Sequence, residues 1–196
     1  MIPRLLFWPV LALLMALVVA LAPLAEARKD RGDVYLLRGG GGGVFSKGLD
    51  QIGAKLNRSG IKAQVIAHGE WKAALDSIIA NRKKHGRRPV VLIGHSFGAN
   101  AAIRIAKGLE KQRIRVNYLV TFAATNPAPI PSNVRKVTNY YFATDGWGKA
   151  IRPGRGFRGN MKNIDFSKDK RVGHFNIEEQ PRLQRQVINN TRRYVR

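Results

Sequence analysis

The 196-residue chain predicts an α/β protein, a three-layer α/β/α sandwich built on a mainly parallel sheet. Three observations carry this. Short apolar runs alternate with stretches of helical period, the pattern of a parallel sheet covered on both faces. The run at residues 89–93, Pro-Val-Val-Leu-Ile, is apolar almost throughout rather than at every second position, as a strand buried on both faces requires. Finally, 44% hydrophobic residues in a chain of this length suit one domain with its own core and exclude a disordered basic tail.

The elements follow in order. Residues 33–37 read as a strand running into the glycines 39–43, and residues 49–56 as a helix with Leu49, Ile52, Gly53 and Leu56 on one face. After a turn at 57–60, residues 63–67 form a second strand. Trp71, Ala74, Leu75, Ile78 and Ile79 mark a second helix, and the basic stretch 82–88 reads as a loop. The apolar strand 89–93 is central and is followed by a helix of small and branched residues at 99–109. Residues 116–122 and 137–143 are strands, separated by a loop with prolines at 127, 129 and 131. Residues 146–173 show no clear period and predict no strand; residues 182–194 close the chain as a helix with Leu183, Val187 and Ile188 inward. The reading is thus five strands in a single domain over residues 28–196.

The first residues read as a leader. Arg4 precedes an uncharged stretch at 5–24, and Ala25-Glu26-Ala27 offers the small-x-small pattern of signal-peptidase cleavage, so residues 1–27 are expected to be a signal peptide cut after Ala27. The competing reading is an uncleaved anchor, since about 20 apolar residues span a bilayer. Either way the rest of the chain is expected outside the cytoplasm, periplasmic or secreted. The net charge is +23, from 35 Lys+Arg against 12 Asp+Glu. Charge of that size speaks to partners rather than fold: an anionic membrane or envelope surface, or an anionic substrate. No RRM, helix-turn-helix or zinc-finger pattern accompanies it, so nucleic acid is not favoured. With no Cys, the chain has no disulfide, thiol nucleophile or Cys-based zinc site.

Gly94-His95-Ser96-Phe97-Gly98 lies between the central strand and a Gly/Ala-rich helix, the context a G-x-S-x-G nucleophile elbow requires. Ser96 must sit on a tight turn with its hydroxyl above the sheet, and the flanking glycines avoid collision with the neighbouring strand and helix. His95 points away from the nucleophile and reads as a packing or orienting residue. Of His68, His85, His95 and His174, only His174 follows the last strand, where the base of such a site falls. Asp145, ending the strand 137–143, is the candidate acid, although Asp-Gly is also a common turn dipeptide; Asp165 and Asp169 remain alternatives, and Glu178 and Glu179 fit the order poorly. Two backbone amides are needed for an oxyanion, one from Phe97 and one from the glycine loop, with Gly40 preferred to Gly41. A phosphate-binding nest is the rival for that loop, but it lacks the Lys-Ser/Thr of a P-loop. Phe97, Phe122, Trp147 and Phe157 are candidates for an acyl or aromatic pocket.

With the glycine loop 39–43, the elbow 94–98 and the late His174 in view, the chain resembles the α/β-hydrolase superfamily of the esterase, lipase and thioesterase kind. That resemblance implies a compact α/β-hydrolase fold and a serine hydrolase cleaving an ester or thioester: Ser96 nucleophile, His174 base, Asp145 acid, Gly40 and Phe97 oxyanion donors, no metal and no organic cofactor. The chain departs from the family in being short, with little room for a lid, and in lacking a clear strand between Asp145 and His174. The alternative is a non-catalytic polyanion-binding protein on the same fold, using the Gly/Arg-rich stretch 149–158.

Overall fold

The computed structural model describes residues 32–41, 44–144 and 146–195. The expected leader and Asp145 lie outside the described residues. Ten elements build the domain: β1 (Asp33–Arg38), α1 (Lys47–Arg58), β2 (Ala63–Ala67), α2 (Trp71–His85), β3 (Val90–His95), α3 (Phe97–Lys111), β4 (Tyr118–Phe122), β5 (Lys136–Tyr141), β6 (Asn160–Asp165) and α4 (Pro181–Tyr194). The six strands form one sheet in the order β2-β1-β3-β4-β5-β6, every pair parallel.

Strand alternation distributes the core to both faces. Val34, Leu36, Val91 and Ile93 pack with Leu49, Ile52 and Leu56 of α1 and Leu183, Val187 and Ile188 of α4. Tyr35, Leu37, Val90 and Leu92 pack with Ala74 and Ile78 of α2 and Ile103 and Ile105 of α3. From β1 the chain moves outward to β2, then returns across β1 to β3, so right-handed crossovers put α1 opposite α2 and α3. The reversal between β1 and β3 opens a crevice beyond the carboxyl ends of those strands, the usual ligand position in open parallel sheets. The glycine loop and the serine elbow emerge there together.

Two elements differ from expectation. The basic stretch 82–88 is not all loop: α2 continues to His85. Lys and Arg are good helix formers, cations at a helix carboxyl end suit its dipole, and Gly86 at φ 73° ends the helix. Residues 146–173 do hold a strand, β6, so the sheet has six strands rather than five. Its sequence, Asn-Met-Lys-Asn-Ile-Asp, is mostly polar because β6 is an edge strand, paired only with β5 and exposed at all positions but Met161 and Ile164. Side-chain amides hold this edge: Thr121 donates to Asn139 Oδ1, and Asn139 Nδ2 donates to Lys149 O and to Asn163 Oδ1. Asn163 in turn brackets the Ile151 backbone, accepting from its N–H and donating to its C=O. The segment 149–151 is thereby strapped over the sheet.

The elbow leaves no room at its glycines. A Cβ on Gly98 would lie 1.9 Å from Leu37 O of β1, and one on Gly94 would lie 2.3 Å from Gly98 O. Gly98→Ala is therefore expected to cost more than about 4 kcal/mol or to prevent folding, read by urea denaturation. Gly69→Ala is the control, because nothing lies within 4 Å of that Cβ position. An unchanged midpoint for Gly98→Ala would refute the close approach of α3 to β1.

Candidate active site

Ser96 follows β3 and caps the first turn of α3, with φ 56° and ψ −120°. A non-glycine residue at positive φ is strained, and strain of this kind persists only where surrounding structure enforces it. Here the Ser96 N–H donates to Phe122 O at 2.9 Å, while the Ser96 C=O accepts from Ala99 N at 3.0 Å. The side chain is left free to point into the crevice.

His174 reaches it from the segment that follows β6. Its Nε2 is 3.1 Å from Ser96 Oγ, and its Nδ1 bonds the main-chain carbonyl of Trp147. A carbonyl only accepts, so Nδ1 carries the proton and Nε2 is the bare acceptor for the Ser96 hydroxyl. That tautomer is the one a general base needs. The Trp147 carbonyl is placed by its neighbours: Gly148 O accepts from Phe142 N, and Lys149 N donates to Ala124 O. Gly148 must lack a side chain, since a Cβ would stand 2.9 Å from Ala123 Cα. Asp165 and Asp169 are not brought to the ring. Asp165 accepts from Ala143 N and from the Ser167 amide and hydroxyl, and Asp169 pairs with Arg171 and Arg182. Among the described residues, the acceptor at Nδ1 is thus a peptide group.

The second histidine of the site ties its three parts together. His95 Nε2 lies 2.8 Å from His174 O and its Nδ1 lies 2.9 Å from Ser46 Oγ. Because His174 O must accept, Nε2 carries the proton; Nδ1 then accepts from the Ser46 hydroxyl. Ser46 Oγ in turn accepts from Gly39 N at 2.9 Å. One unbroken chain of hydrogen bonds therefore runs from the glycine loop through the elbow strand to the backbone of the base. His68 supports the same loop, with Nδ1 3.0 Å from Gly39 O. His85 ends α2 and is exposed.

Beneath His95 lies Glu178, fully buried in the turn Ile177–Glu179. Its carboxylate is 3.8 Å from His95 Nε2, too long for a hydrogen bond. Burial raises the Glu178 carboxyl to about 8, and burial lowers His95 to about 4. Both are neutral near pH 7, so the relay is a hydrogen-bond network and not an ion pair.

The crevice is a pocket of about 180 Å³ lined by Gly39, Gly40, Gly41, Ser96, His174 and the aromatic residues Phe45, Phe97, Trp147 and Phe175, with Ser46 and His95 behind. Gly40 and Phe97 meet at its wall: a Cβ on Gly40 would be 3.1 Å from the Phe97 ring. Phe45 and Phe175 contact each other with centroids 5.2 Å apart, and Phe175 meets the His174 ring at 4.9 Å. The sequence reading singled out neither Phe45 nor Phe175, nor Ser46. Phe175 could have been found by its place beside His174, whereas Ser46 carries no motif of its own. Of the four aromatic candidates, Phe97 and Trp147 line the pocket, Phe122 is core, and Phe157 packs against the face covered by α2 and α3.

A family model for the thioesterase domain matches residues 49–138, a span running from α1 into β5 that contains the elbow but not His174. Among solved structures, the chain resembles a protein provisionally described as a hydrolase of the alpha/beta superfamily, from Xanthomonas campestris pv. campestris. The two share 15% identity with a TM-score of 0.53, over 83% of this chain and 99% of that one. No curated protein sequence matches.

The two buried groups set a pH profile for stability. Glu178, normally near 4.5 and raised to about 8, contributes stability that is present below 4.5 and lost as pH rises toward 8. His95, normally near 6.5 and lowered to about 4, contributes stability present above 6.5 and lost as pH falls toward 4. The melting temperature of the parent protein should fall between pH 6.5 and 8, and Glu178→Gln should flatten that limb. Parallel limbs for the two proteins in thermal melts would show that Glu178 is ionised in the fold.

Proposed function

We propose that this α/β-hydrolase-like protein is an exported serine hydrolase that cleaves a carboxylic ester or thioester through an acyl-enzyme. The observation that carries the reading is the 3.1 Å contact from Ser96 Oγ to the bare Nε2 of His174, with Nδ1–H already committed to Trp147 O. Ser96 Oγ attacks the acyl carbon as its proton passes to Nε2. The carbonyl oxygen, now anionic, falls at the start of α3, where the Phe97 amide and the helix dipole favour negative charge and Gly40 supplies the second amide. The C–O or C–S bond then breaks, and the leaving group takes the proton from Nε2. Water repeats the sequence and regenerates Ser96. The thioesterase-domain match favours the sulfur leaving group.

The acyl group in this reading lies against Phe45, Trp147 and Phe175, which suits an apolar or aromatic chain of modest size. The chemistry calls on no metal or organic cofactor. His174 is oriented by a peptide carbonyl.

A fluorophosphonate probe should label Ser96 rapidly, and labelling should vanish in Ser96→Ala; an unlabelled parent protein would leave only a binding role. His174→Ala should lower kcat by at least about 1,000-fold with the fold intact. A loss below about 10-fold would mean another group is the base. With Nδ1–H held by Trp147 O, Asp145→Asn should cost no more than about 10-fold in kcat, and a loss near 10,000-fold would show that a carboxylate accepts the Nδ1–H hydrogen bond during turnover.

A further inference from the structure

Seven arginines gather at the end of the sheet opposite Ser96. A cleft of about 390 Å³ at the amino ends of β3 and β4 is lined by Arg82, Arg87, Arg88, Arg113 and Arg115, with Pro89 and Asn117. A second, of about 850 Å³, continues from Arg113 and Arg115 to Arg135 and Arg158 at the starts of β5 and β6. Every cation lining the two is an arginine. Glu110 lines the second cleft, but its Oε1 is taken by the Ser132 amide and hydroxyl, each at 2.6 Å. Guanidinium forks match phosphate oxygens two at a time, and five of these side chains, on Arg87, Arg113, Arg115, Arg135 and Arg158, are exposed.

The uncharged apolar stretch 5–24 precedes the fold. The described chain begins at Gly32, and its neighbour Asp33 donates its N–H to Pro89 O, in the wall of the first cleft. The inference rests on the export reading in its anchored form: with the stretch 5–24 retained, the bilayer that holds it lies at the end where Gly32 enters the fold. We infer that the double arginine cleft docks on an anionic phospholipid surface, guanidinia on the headgroup phosphates. The Ser96 pocket then faces away from the bilayer. The exposed Val44, Phe45, Phe97, Trp147 and Phe175 all belong to that opposite end, so this orientation keeps the apolar rim for substrate and not for lipid.

Hydrogen exchange on the full chain tests which end meets the lipid. Phosphatidylglycerol vesicles should protect the loops 86–88, 112–117 and 133–136, and phosphatidylcholine vesicles should not. Each basic residue near such a surface contributes about five-fold in affinity, so Arg87→Gln/Arg115→Gln/Arg135→Gln should lose protection and weaken charge-dependent vesicle binding on the order of 100-fold. Lys47→Gln/Lys168→Gln/Lys170→Gln removes the same charge from exposed positions at the pocket end and should keep it. Equal losses in the two triple variants would reduce the effect to net charge and overturn the site. Protection of the Phe45, Trp147 and Phe175 loops instead would reverse the orientation. Tighter capture of an oligothymidylate than of vesicles at equal phosphate would assign the cleft to nucleic acid.

Discussion

A single imidazole that does no chemistry holds the pocket together. His95 donates to the backbone of His174 on one side and accepts from Ser46 on the other, and Ser46 holds Gly39. The base, the nucleophile's strand and the glycine loop come from three distant parts of the chain, at residues 174, 95 and 39. Each has a further support of its own, but that bridge is what ties the three to one another. The geometry demands a neutral ring, donor at one nitrogen and acceptor at the other, and burial supplies it by holding the ring well below its ordinary titration range. The neighbouring carboxyl of Glu178 is kept neutral for the same reason, so two potential charges coexist below the pocket without an ion pair.

Much of this was legible in the sequence, and what was not has physical causes. The strand-serine-helix junction declares itself because its glycines answer to hard contacts, Gly98 against Leu37 O and Gly94 against Gly98 O. Buried parallel strands declare themselves because both of their faces must be apolar, as all six residues of β3 are buried. β6 is silent because an edge strand may be polar where it meets water, and its partners are side-chain amides rather than apolar neighbours. The end of α2 is silent for a related reason: a run of cations reads equally as solvated loop or as the carboxyl turn of a helix. At the site, His174 could be reached by chain order. The Trp147 carbonyl could not, because every residue has one and only the tertiary path selects it. Ser46 is hidden likewise, one hydroxyl among many until the loop folds back on β3.

The two ends of the sheet serve different physics. At the carboxyl ends, α3 begins, backbone amides converge, and aromatic residues exclude water around a small cavity. At the amino ends, the connecting turns gather guanidinium groups beside the point where the described chain starts. Parallel strands make this division natural, since all their like ends lie on one side. The arginine clefts and the apolar pocket are therefore separated by the length of the sheet.

The peptide oxygen that accepts the His174 Nδ1–H hydrogen bond has a consequence for how the protein tolerates change. A main-chain acceptor has no ionisation of its own and is not removed by replacing the side chain that bears it. The ring's orientation is then insured by the path of residues 147–149, above all by the missing side chain at Gly148. Drift in the identity of residue 147 leaves the acceptor in place, whereas one added methyl group at the next position displaces it. The hold on the base is thus set by the backbone path at Gly148, while the side chain at 147 shapes only the pocket wall.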